Sequence, residues 1–327
     1  MRRYSGDSCG GLSSRGILHS EYGFTLIELL VVVAIIALLA SLLVPAMEKA
    51  RGMAQQTQCL VNQHNIALAM CMYVDSFNGY LPGSPNTSGA GPRQDPPDTA
   101  VATNAFDYAS PLLGFLNMSV PANRADRQEL TRLGVFKCPA NNYQAEPWIG
   151  YQSIPDAADF TTSQVTSYLT CWNFLLAGDS FAGAKVVQGV PYWLYSASWT
   201  EEPPKDFLPK ITKIGSPAKK IFLADAARYV DENGKFTYDI GYMLFGAGSY
   251  SGSGAWWIDS REYGDNSPAA DYSYRHNNGI AAAFYDGHCQ YLAREQSHRA
   301  EYWYPKGTVL TNGSEGAGGE PSGYVVP

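Results

Sequence analysis

The sequence predicts an α+β fold in which a long N-terminal α-helix packs on an antiparallel β-sheet with long loops. An apolar run over residues 24–47 passes into an amphipathic pattern over 48–78, and both are typical of one helix. Near the C-terminus, Asp286-Gly287 between two apolar segments predicts a β-hairpin. The chain also holds 22 Tyr, 32 Gly and 20 Pro, a balance typical of a loop-rich domain that contains β-strands.

The first half of the predicted helix is apolar enough to cross a membrane. Between Phe24 and Met47 only Thr25, Glu28 and Ser41 interrupt the apolar pattern. At about 1.5 Å per helical residue, this run is roughly long enough to cross a ~30 Å hydrocarbon core. The sequence therefore predicts one membrane-spanning segment close to the N-terminus.

Glu28 needs an explanation in such a span. A buried carboxylate costs about a few kcal/mol on insertion scales and usually marks a functional partner. Cleavage after Gly23 would place a new amino group on Phe24, and Glu28 of one subunit could neutralise the Phe24 amine of its neighbour. One alternative is an uncleaved signal anchor with Glu28 in contact with water. A secretory signal cut after Ala40 or Ala46 is another, but it does not explain the carboxylate.

The second half of the helix is expected to lie on a globular domain. One stripe of its residues recurs at spacings of three and four. This stripe consists of Leu60, His64, Ala67, Leu68, Cys71 and Val74. Asn78-Gly79 supplies a C-cap, so the helix is expected to end near Phe77. His64 is interpreted as a packed or partly exposed histidine and not as a ligand.

The predicted elements of the remaining chain are short. Helical pieces are expected near 106–116 and 125–133, and strands near 135–138, 211–214 and 220–224. In the C-terminal hairpin, a two-residue type I′ turn would pair Tyr285 with His288 and Phe284 with Cys289. Alternation then assigns one shared face to Ile280, Ala282, Phe284, Cys289 and Tyr291.

The cysteines show no CxxC and no other spacing of a metal site. They are Cys9, Cys59, Cys71, Cys138, Cys171 and Cys289. Cys59 and Cys71 lie roughly 18 Å apart on the predicted helix, whereas a disulfide needs Cα atoms within about 7 Å. Two alternatives stay open for the others: a disulfide between Cys138 and either Cys171 or Cys289, or buried free thiols.

A set of imidazoles and carboxylates in the C-terminal part has the chemistry of metal ligands: His276, Asp286, His288 and Asp225. Such groups bind Zn or Mn, and carboxylates with carbonyls bind Ca. No HExxH is present, and no GxSxG with a triad partner. A structural role is favoured for His276, Asp286 and Gly287, and a structural cation such as calcium near His276, Asp286 and His288 is the alternative. Catalysis is the least favoured interpretation, so we predict neither a cofactor nor an enzyme.

Gly23-Phe-Thr-Leu-Ile-Glu28 followed by an apolar helix resembles the N-terminus of type IV pilins and type II secretion pseudopilins. The resemblance implies that a prepilin peptidase cuts after Gly23 and that Phe24 is then methylated. It also implies that Glu28 is the assembly glutamate and that Pro45 kinks the helix. The implied partners are the peptidase, other pilin-like subunits of a homo- or hetero-filament, and an inner-membrane assembly platform.

The spacing His276-x9-Asp286-Gly287 resembles a C-terminal signature of large pilin-like proteins abundant in planctomycetes. The segments 220–225 (KIFLAD) and 136–139 (FKCP) are similar to recurrent segments of the same family. This second resemblance extends to the whole chain, although the middle matches only loosely. It indicates kinship more than activity.

These observations divide the chain into four parts. They are a leader over 1–23, a transmembrane and assembly segment over 24–47, an amphipathic segment over 48–78, and an extracytoplasmic globular domain over 79–327 with the hairpin at 276–292. The resemblance implies a single-pass protein of the cytoplasmic membrane, with its N-terminus in the cytoplasm, that enters a filament after assembly. Net charge is −7 with no basic block, which argues against nucleic acid as a partner.

The main hypothesis is therefore a structural subunit, and the alternative is an anchored extracytoplasmic binding module or hydrolase with a pilin-type leader. Aromatic loops could stack on sugars, which would make the module carbohydrate-binding. The residues concerned are Trp172, Trp193, Trp199, Trp256 and Trp257. Ordinary core tryptophans are the favoured interpretation of these residues.

Overall fold

A single long helix, α1, runs over Leu26–Ser76. It has 51 residues, which corresponds to about 77 Å. The helix ends because Asn78 (φ 53°) and Gly79 (φ 79°) adopt left-handed backbone conformations. The Gly79 N–H then donates to the carbonyl of Val74 at 2.9 Å, as expected for a C-cap of this kind. The prediction of one continuous helix that ends at this pair is confirmed.

The computed structural model describes residues 24–83, 108–119, 134–142, 144–148, 163–164, 167–175, 201–202, 204–225, 237–239, 273–310 and 320–327. The chain divides into two compact units, Met1–Lys49 and Ala50–Pro327. In the first unit, every described residue is exposed, and most of these residues are apolar. The predicted helical piece near 125–133 lies outside the described residues.

The second unit is built around a four-stranded antiparallel sheet. Its order is β3-β5-β7-β8, with β3 at Tyr168–Thr170, β5 at Ile221–Asp225, β7 at Gly279–Phe284 and β8 at Cys289–Ala293. All residues of β3, β5 and β7 are buried, as expected for strands covered on both faces. The long helix and the antiparallel sheet confirm the predicted α+β class.

Two smaller three-stranded sheets complete the described strands. One has the order β2-β1-β6 and joins Ser163–Gln164, Gln144–Trp148 and Thr237–Asp239. The other has the order β10-β9-β4 and joins Tyr324–Val325, Val309–Leu310 and Glu201–Glu202. Short helices at Arg294–Ser297 and Ala300–Trp303 follow β8 directly.

The predicted register of the C-terminal hairpin is wrong by one residue. Phe284 faces His288 across the turn, and Ala283 pairs with Cys289. Asp286 does not adopt positive φ, whereas Gly287 does (φ 92°), so the loop has three residues and not the two of a type I′ turn. Since a slip of one residue moves a strand's side chains to the opposite face, Cys289 and Tyr291 do not share the face of Ile280.

The buried face of α1 also differs from the predicted stripe. Leu68 and His64 are exposed, while Asn62 and Gln63 are buried. The polar pair is buried because it has partners: Asn62 Nδ2 donates to the Lys137 carbonyl at 2.9 Å, and Gln63 Nε2 donates to the Ala281 carbonyl at 3.0 Å. A stripe chosen by apolarity alone therefore misplaces this face.

Two predicted strands are wrong, and two predicted elements are confirmed in type and position. Residues Gly134–Phe136 form a 3-10 turn in place of a strand, and residues 211–214 form turns. The strand predicted at 220–224 is β5, and the helical piece predicted at 106–116 is the 3-10 helix Ser110–Leu116. The misassigned segments are only about four residues long, which is too short for periodicity to decide their type.

Gly279 is predicted to tolerate no side chain. A Cβ there would lie 2.4 Å from the Leu292 carbonyl oxygen and 2.4 Å from the Tyr291 ring. We expect Gly279→Ala to lower the free energy of unfolding by about 1–3 kcal/mol, as overpacking does in a tight site. The measurement is thermal or urea unfolding of the detergent-purified chain. As a control, Gly52→Ala on α1, where nothing lies within 4 Å, should raise stability by up to about 1 kcal/mol. Equal effects of the two substitutions would contradict the packing described.

Lys220 gives a prediction about pH. Burial lowers the pKa of this amine to about 8, and its Nζ donates to the Glu301 carbonyl at 2.8 Å. A lysine in the unfolded chain has a pKa of about 10.4, so between these values the unfolded chain binds more protons than the folded one. The stability of the native protein relative to Lys220→Met should therefore rise as pH increases from about 8 to about 10. Urea titrations of both proteins at several pH values test this, and a difference that falls over that window would refute it.

Candidate functional site

The start of α1 forms a capping box between Thr25 and Glu28. The Glu28 N–H donates to Thr25 Oγ1 at 3.2 Å, and Thr25 N–H donates to Glu28 Oε2 at 2.9 Å. Thr25 Oγ1 also donates to the same carboxylate oxygen at 2.8 Å. The T-x-x-E spacing is a sequence signature of this motif, so the cap could have been found from sequence. Glu28 thus has a role within its own helix.

The residues that follow this cap form an exposed apolar surface. Ile27, Leu30, Leu38 and Leu42 each expose more than half of their surface in the single chain. By length and composition, α1 is long and apolar enough to cross a membrane. Pro45 lies inside the helix, and Gly23 lies outside the described residues. The apolar helix is consistent with membrane anchoring.

A second candidate site is a cluster of four metal-type donors in the second unit. Cys59, Cys138, Asp225 and His276 are buried, with at most 3% of any of them exposed. Their donor atoms all lie within 4.8 Å of one another. Cys59 Sγ lies 3.1 Å from Asp225 Oδ1, and Cys138 Sγ lies 3.1 Å from His276 Nε2. Among the residues that the structure describes, this is the one group of three or more such donors.

Each donor comes from a different part of the fold. Cys59 lies on α1, and Cys138 follows the 3-10 turn Gly134–Phe136. Asp225 is the last residue of β5, and His276 begins the tight turn into β7. Asn277 and Asn278 adopt positive φ in that turn, and reciprocal backbone hydrogen bonds join His276 to Gly279. The asparagines suit it because they tolerate the left-handed conformation.

Asp225 accepts more hydrogen bonds than any other member of the cluster. Its Oδ1 accepts from Arg275 Nη2 at 3.0 Å and from Gln63 Nε2 at 3.3 Å. Its Oδ2 accepts from the Ala281 N–H at 2.7 Å and lies 3.5 Å from His276 Nε2. Arg275 also donates to the Ser167 carbonyl. The ion pair with Arg275 is buried, so the carboxylate and guanidinium compensate each other's lost hydration.

The cluster shifts the protonation of its members. Burial raises the pKa of Asp225, and the positive charge of Arg275 opposes that rise. The neighbouring Cys59 side chain, the charge of Arg275 and the bond with His276 together lower the pKa of the Cys138 thiol to about 3, against the effect of burial. Burial lowers the pKa of His276, but the bond with Cys138 and the charge of Asp225 outweigh it, and the net shift is upward. These directions favour a thiolate at Cys138 beside a protonated His276, whereas burial favours the neutral form of Asp225.

The structure separates the histidines and aspartates that the sequence singled out into two pairs. His276 meets Asp225 in the cluster. Asp286 and His288 form their own pair beside the hairpin turn, where His288 N–H donates to Asp286 Oδ1 at 3.1 Å. Among the described residues, no contact joins the two pairs. The Gly287 carbonyl instead bonds His64 Nδ1 of α1 at 3.0 Å, so the turn docks on the helix.

Sequence reasoning missed Cys59 and Cys138 as neighbours. Of the two alternatives left open for Cys138, a disulfide with Cys171 or Cys289 and a free thiol, the structure has the free thiol, and the five cysteines from Cys59 onward are all free. One feature of the sequence could have indicated the cluster. Cys138 and Asp225 lie in the two segments, 136–139 and 220–225, that resemble recurrent segments of a known family. Cys59 and Cys138 are more than 70 residues apart in the sequence, so their spacing does not indicate that they are neighbours in the fold.

Comparison with known proteins bears on the N-terminal site. Residues 18–44 match the family described as the prokaryotic N-terminal methylation motif. No curated protein matches the chain, and no solved structure does. The matched motif covers Glu28 and most of the exposed apolar surface. It supports a pilin-like precursor that a prepilin peptidase cleaves, and it favours a structural subunit over an enzyme.

The buried ion pair should control the stability of the second unit. We expect Asp225→Asn to lower the free energy of unfolding by about 3–5 kcal/mol, because the buried charge of Arg275 loses its neutralising partner. Asp206→Asn is the matched control, since Asp206 makes an exposed pair with Lys213. That variant should unfold as the wild type does. Urea unfolding followed by tryptophan fluorescence measures both, and similar losses for the two variants would contradict the assignment.

Proposed function

We propose that this chain is a pilin-like structural subunit that is cleaved after Gly23, methylated at Phe24 and assembled into a filament through α1. The observation that carries the proposal is the exposed apolar half of the helix, which lies within the matched methylation motif. A surface of this kind needs a cover, because soluble monomers rarely expose large contiguous apolar patches. Lipid covers it before assembly, and neighbouring helices cover it afterwards.

Glu28 can serve both its own helix and a neighbour. Its Oε2 accepts both hydrogen bonds from Thr25, while no hydrogen bond to Oε1 is made by the described residues. Oε1 is therefore available to the positive amino group that cleavage creates on Phe24 of another subunit. In a low-dielectric helical core, this pairing neutralises two charges that would each be costly alone.

The proposed topology follows from the same processing step. The leader stays in the cytoplasm, where a prepilin peptidase removes it, and the domain beyond residue 78 lies outside the cytoplasmic membrane. An inner-membrane platform then extracts subunits into a homo- or hetero-filament. Pro45 would kink α1 where the apolar segment ends, and the His276-x9-Asp286-Gly287 arrangement is proposed as the mark of a large, planctomycete-type pilin-like protein.

The alternative, a carbohydrate-binding module or hydrolase on the same anchor, gains no support from the described residues. Trp193, Trp199, Trp256 and Trp257 lie outside them. Trp172 lies in the 3-10 turn Trp172–Phe174, which belongs to the second unit.

The first test is the N-terminal residue of protein isolated from its own membranes. Intact mass and terminal sequencing should find a chain that begins at Phe24, with one added methyl group, because the motif is a substrate for cleavage and methylation. Replacing Gly23 by a bulky residue should preserve the leader. A chain that begins at Met1, or after Ala40 or Ala46, would reject the proposal.

A second test separates the charge of Glu28 from its cap. Glu28→Ala removes both, whereas Glu28→Gln keeps an amide oxygen that can still cap the Thr25 N–H. We expect both variants to lose filaments recovered from the cell surface, because neither neutralises the Phe24 amine. The control is Glu48→Ala, an exposed carboxylate farther along α1.

Normal filament yield from Glu28→Gln, together with loss from Glu28→Ala, would show that the cap and not the charge supports assembly. Normal yield from both would remove Glu28 from the mechanism. Protease resistance of the second unit should be unchanged in every variant, which excludes misfolding as the cause.

A further inference from the structure

We propose that Cys59, Cys138, Asp225 and His276 bind one zinc ion that ties α1 to the sheet. The cluster stands apart from the N-terminal helix segment that the proposed function uses. The inference therefore does not depend on cleavage, methylation or filament assembly.

The positions of the four donors suit a tetrahedral ion. With Zn–S near 2.3 Å and Zn–N or Zn–O near 2.0–2.1 Å, neighbouring ligand atoms lie about 3.3–3.8 Å apart. The structure has 3.1 Å between Cys59 Sγ and Asp225 Oδ1, 3.1 Å between Cys138 Sγ and His276 Nε2, and 3.5 Å between His276 Nε2 and Asp225 Oδ2. For these three pairs, of which the two that involve Asp225 use different carboxylate oxygens, shifts of up to about half an ångström reach the required separations. All four donor atoms already lie within 4.8 Å of one another.

The donor types select the metal. Two sulfurs and an imidazole favour zinc over calcium or magnesium, which take oxygen ligands. Four protein ligands fill a tetrahedral site and leave no position for water or substrate, as in structural zinc sites. The burial of all four residues agrees with a closed site. The ion is therefore assigned to stability and not to catalysis.

The charges balance around a divalent ion. Two thiolates and the Asp225 carboxylate carry three negative charges. Zinc supplies two positive charges, and Arg275, which contacts Asp225 Oδ1 at 3.0 Å, supplies the third. A neutral total matters here because an uncompensated charge in a buried site is costly.

The groups around the donors resemble the outer shell of a metal site. Tyr168 Oη lies 3.2 Å from Cys59 Sγ, and the Ala281 N–H holds Asp225 Oδ2 at 2.7 Å. Such contacts orient ligands and are a regular part of metal sites. Gln63 donates to Asp225 through Nε2, while its buried Oε1 has no hydrogen-bond partner among the described residues. The amide beside the cluster thus has an acceptor that the described residues leave unsatisfied.

A disulfide between Cys59 and Cys138 is the competing assignment. It would require an external thiol-oxidising partner to take two electrons, with release of two protons. It would explain the proximity of the two sulfurs but not the convergence of His276 and Asp225 on them. The structure records both cysteines as free thiols.

The test is the metal content of the full-length chain, purified in detergent from its own membranes without chelator. Mass spectrometry of the metals should find about one zinc per chain, as expected for one closed site. Thiol titration in denaturant and chelator should find Cys59 and Cys138 reduced. After exchange with Co²⁺ alone, the protein should show the thiolate-to-cobalt charge-transfer and tetrahedral d–d absorption bands.

Two serine variants on the same helix locate the site. Cys59→Ser should lose most of the zinc and the cobalt charge-transfer band, whereas Cys71→Ser, a half-buried cysteine outside the cluster, should keep both. If Cys59→Ser does not fold, the metal content and the thiol state of the wild type still decide whether the chain binds zinc.

Two wild-type results would overturn the proposal. One is a Cys59–Cys138 disulfide found in the non-reducing peptide map, and the other is reduced thiols with no zinc and no cobalt bands. Retention of zinc by Cys59→Ser would likewise overturn the assignment of the ligands. Because the metal measurement is independent of the N-terminal residue, its failure leaves the proposed function untouched, and the reverse also holds.

Discussion

The buried carboxylate of Asp225 is the constraint on which the second unit depends. It lies at the end of β5 and must be neutralised and fully hydrogen-bonded, since an unpaired buried charge would cost several kcal/mol, roughly the stability of a domain. Cys59 and Gln63 of α1, together with Arg275 and the Ala281 N–H, meet this demand from two distant parts of the chain. The position of α1 on the sheet is thereby fixed by polar contacts as well as by apolar packing.

The features that sequence predicted well are those decided by neighbouring residues. The long helix, its end at Asn78-Gly79 and the strand at 221–225 each depend on local periodicity or on a turn residue. The fold class follows from these elements, because a long helix with one apolar face needs a sheet or other helices to cover it. The capping box was equally readable, since Thr25 and Glu28 are three residues apart.

The features that sequence could not supply depend on contacts between distant residues. Asn62 and Gln63 face inward because their amides meet Lys137 and Ala281, and no local pattern encodes those partners. The register of the hairpin depends on the backbone of its loop, in which Gly287 adopts positive φ and Asp286 does not. This difference places the side chains of β8 on the face opposite to the predicted one. Cys138 joins the cluster through the fold, so its spacing in the sequence carried no information.

The order of strands in the central sheet has a consequence for the timing of folding. β5 pairs with β3 and β7, partners that lie roughly fifty residues before and after it in the chain. Non-local pairing of this kind makes folding slow, because loops must close before the contacts that reward closure can form. α1 is synthesised first, but the Gln63 side chain can donate to the Ala281 carbonyl only after that later part of the chain has been made. The chain must therefore be almost completely synthesised before α1 acquires its full set of contacts, and during that interval its exposed surface would be accessible to a chaperone.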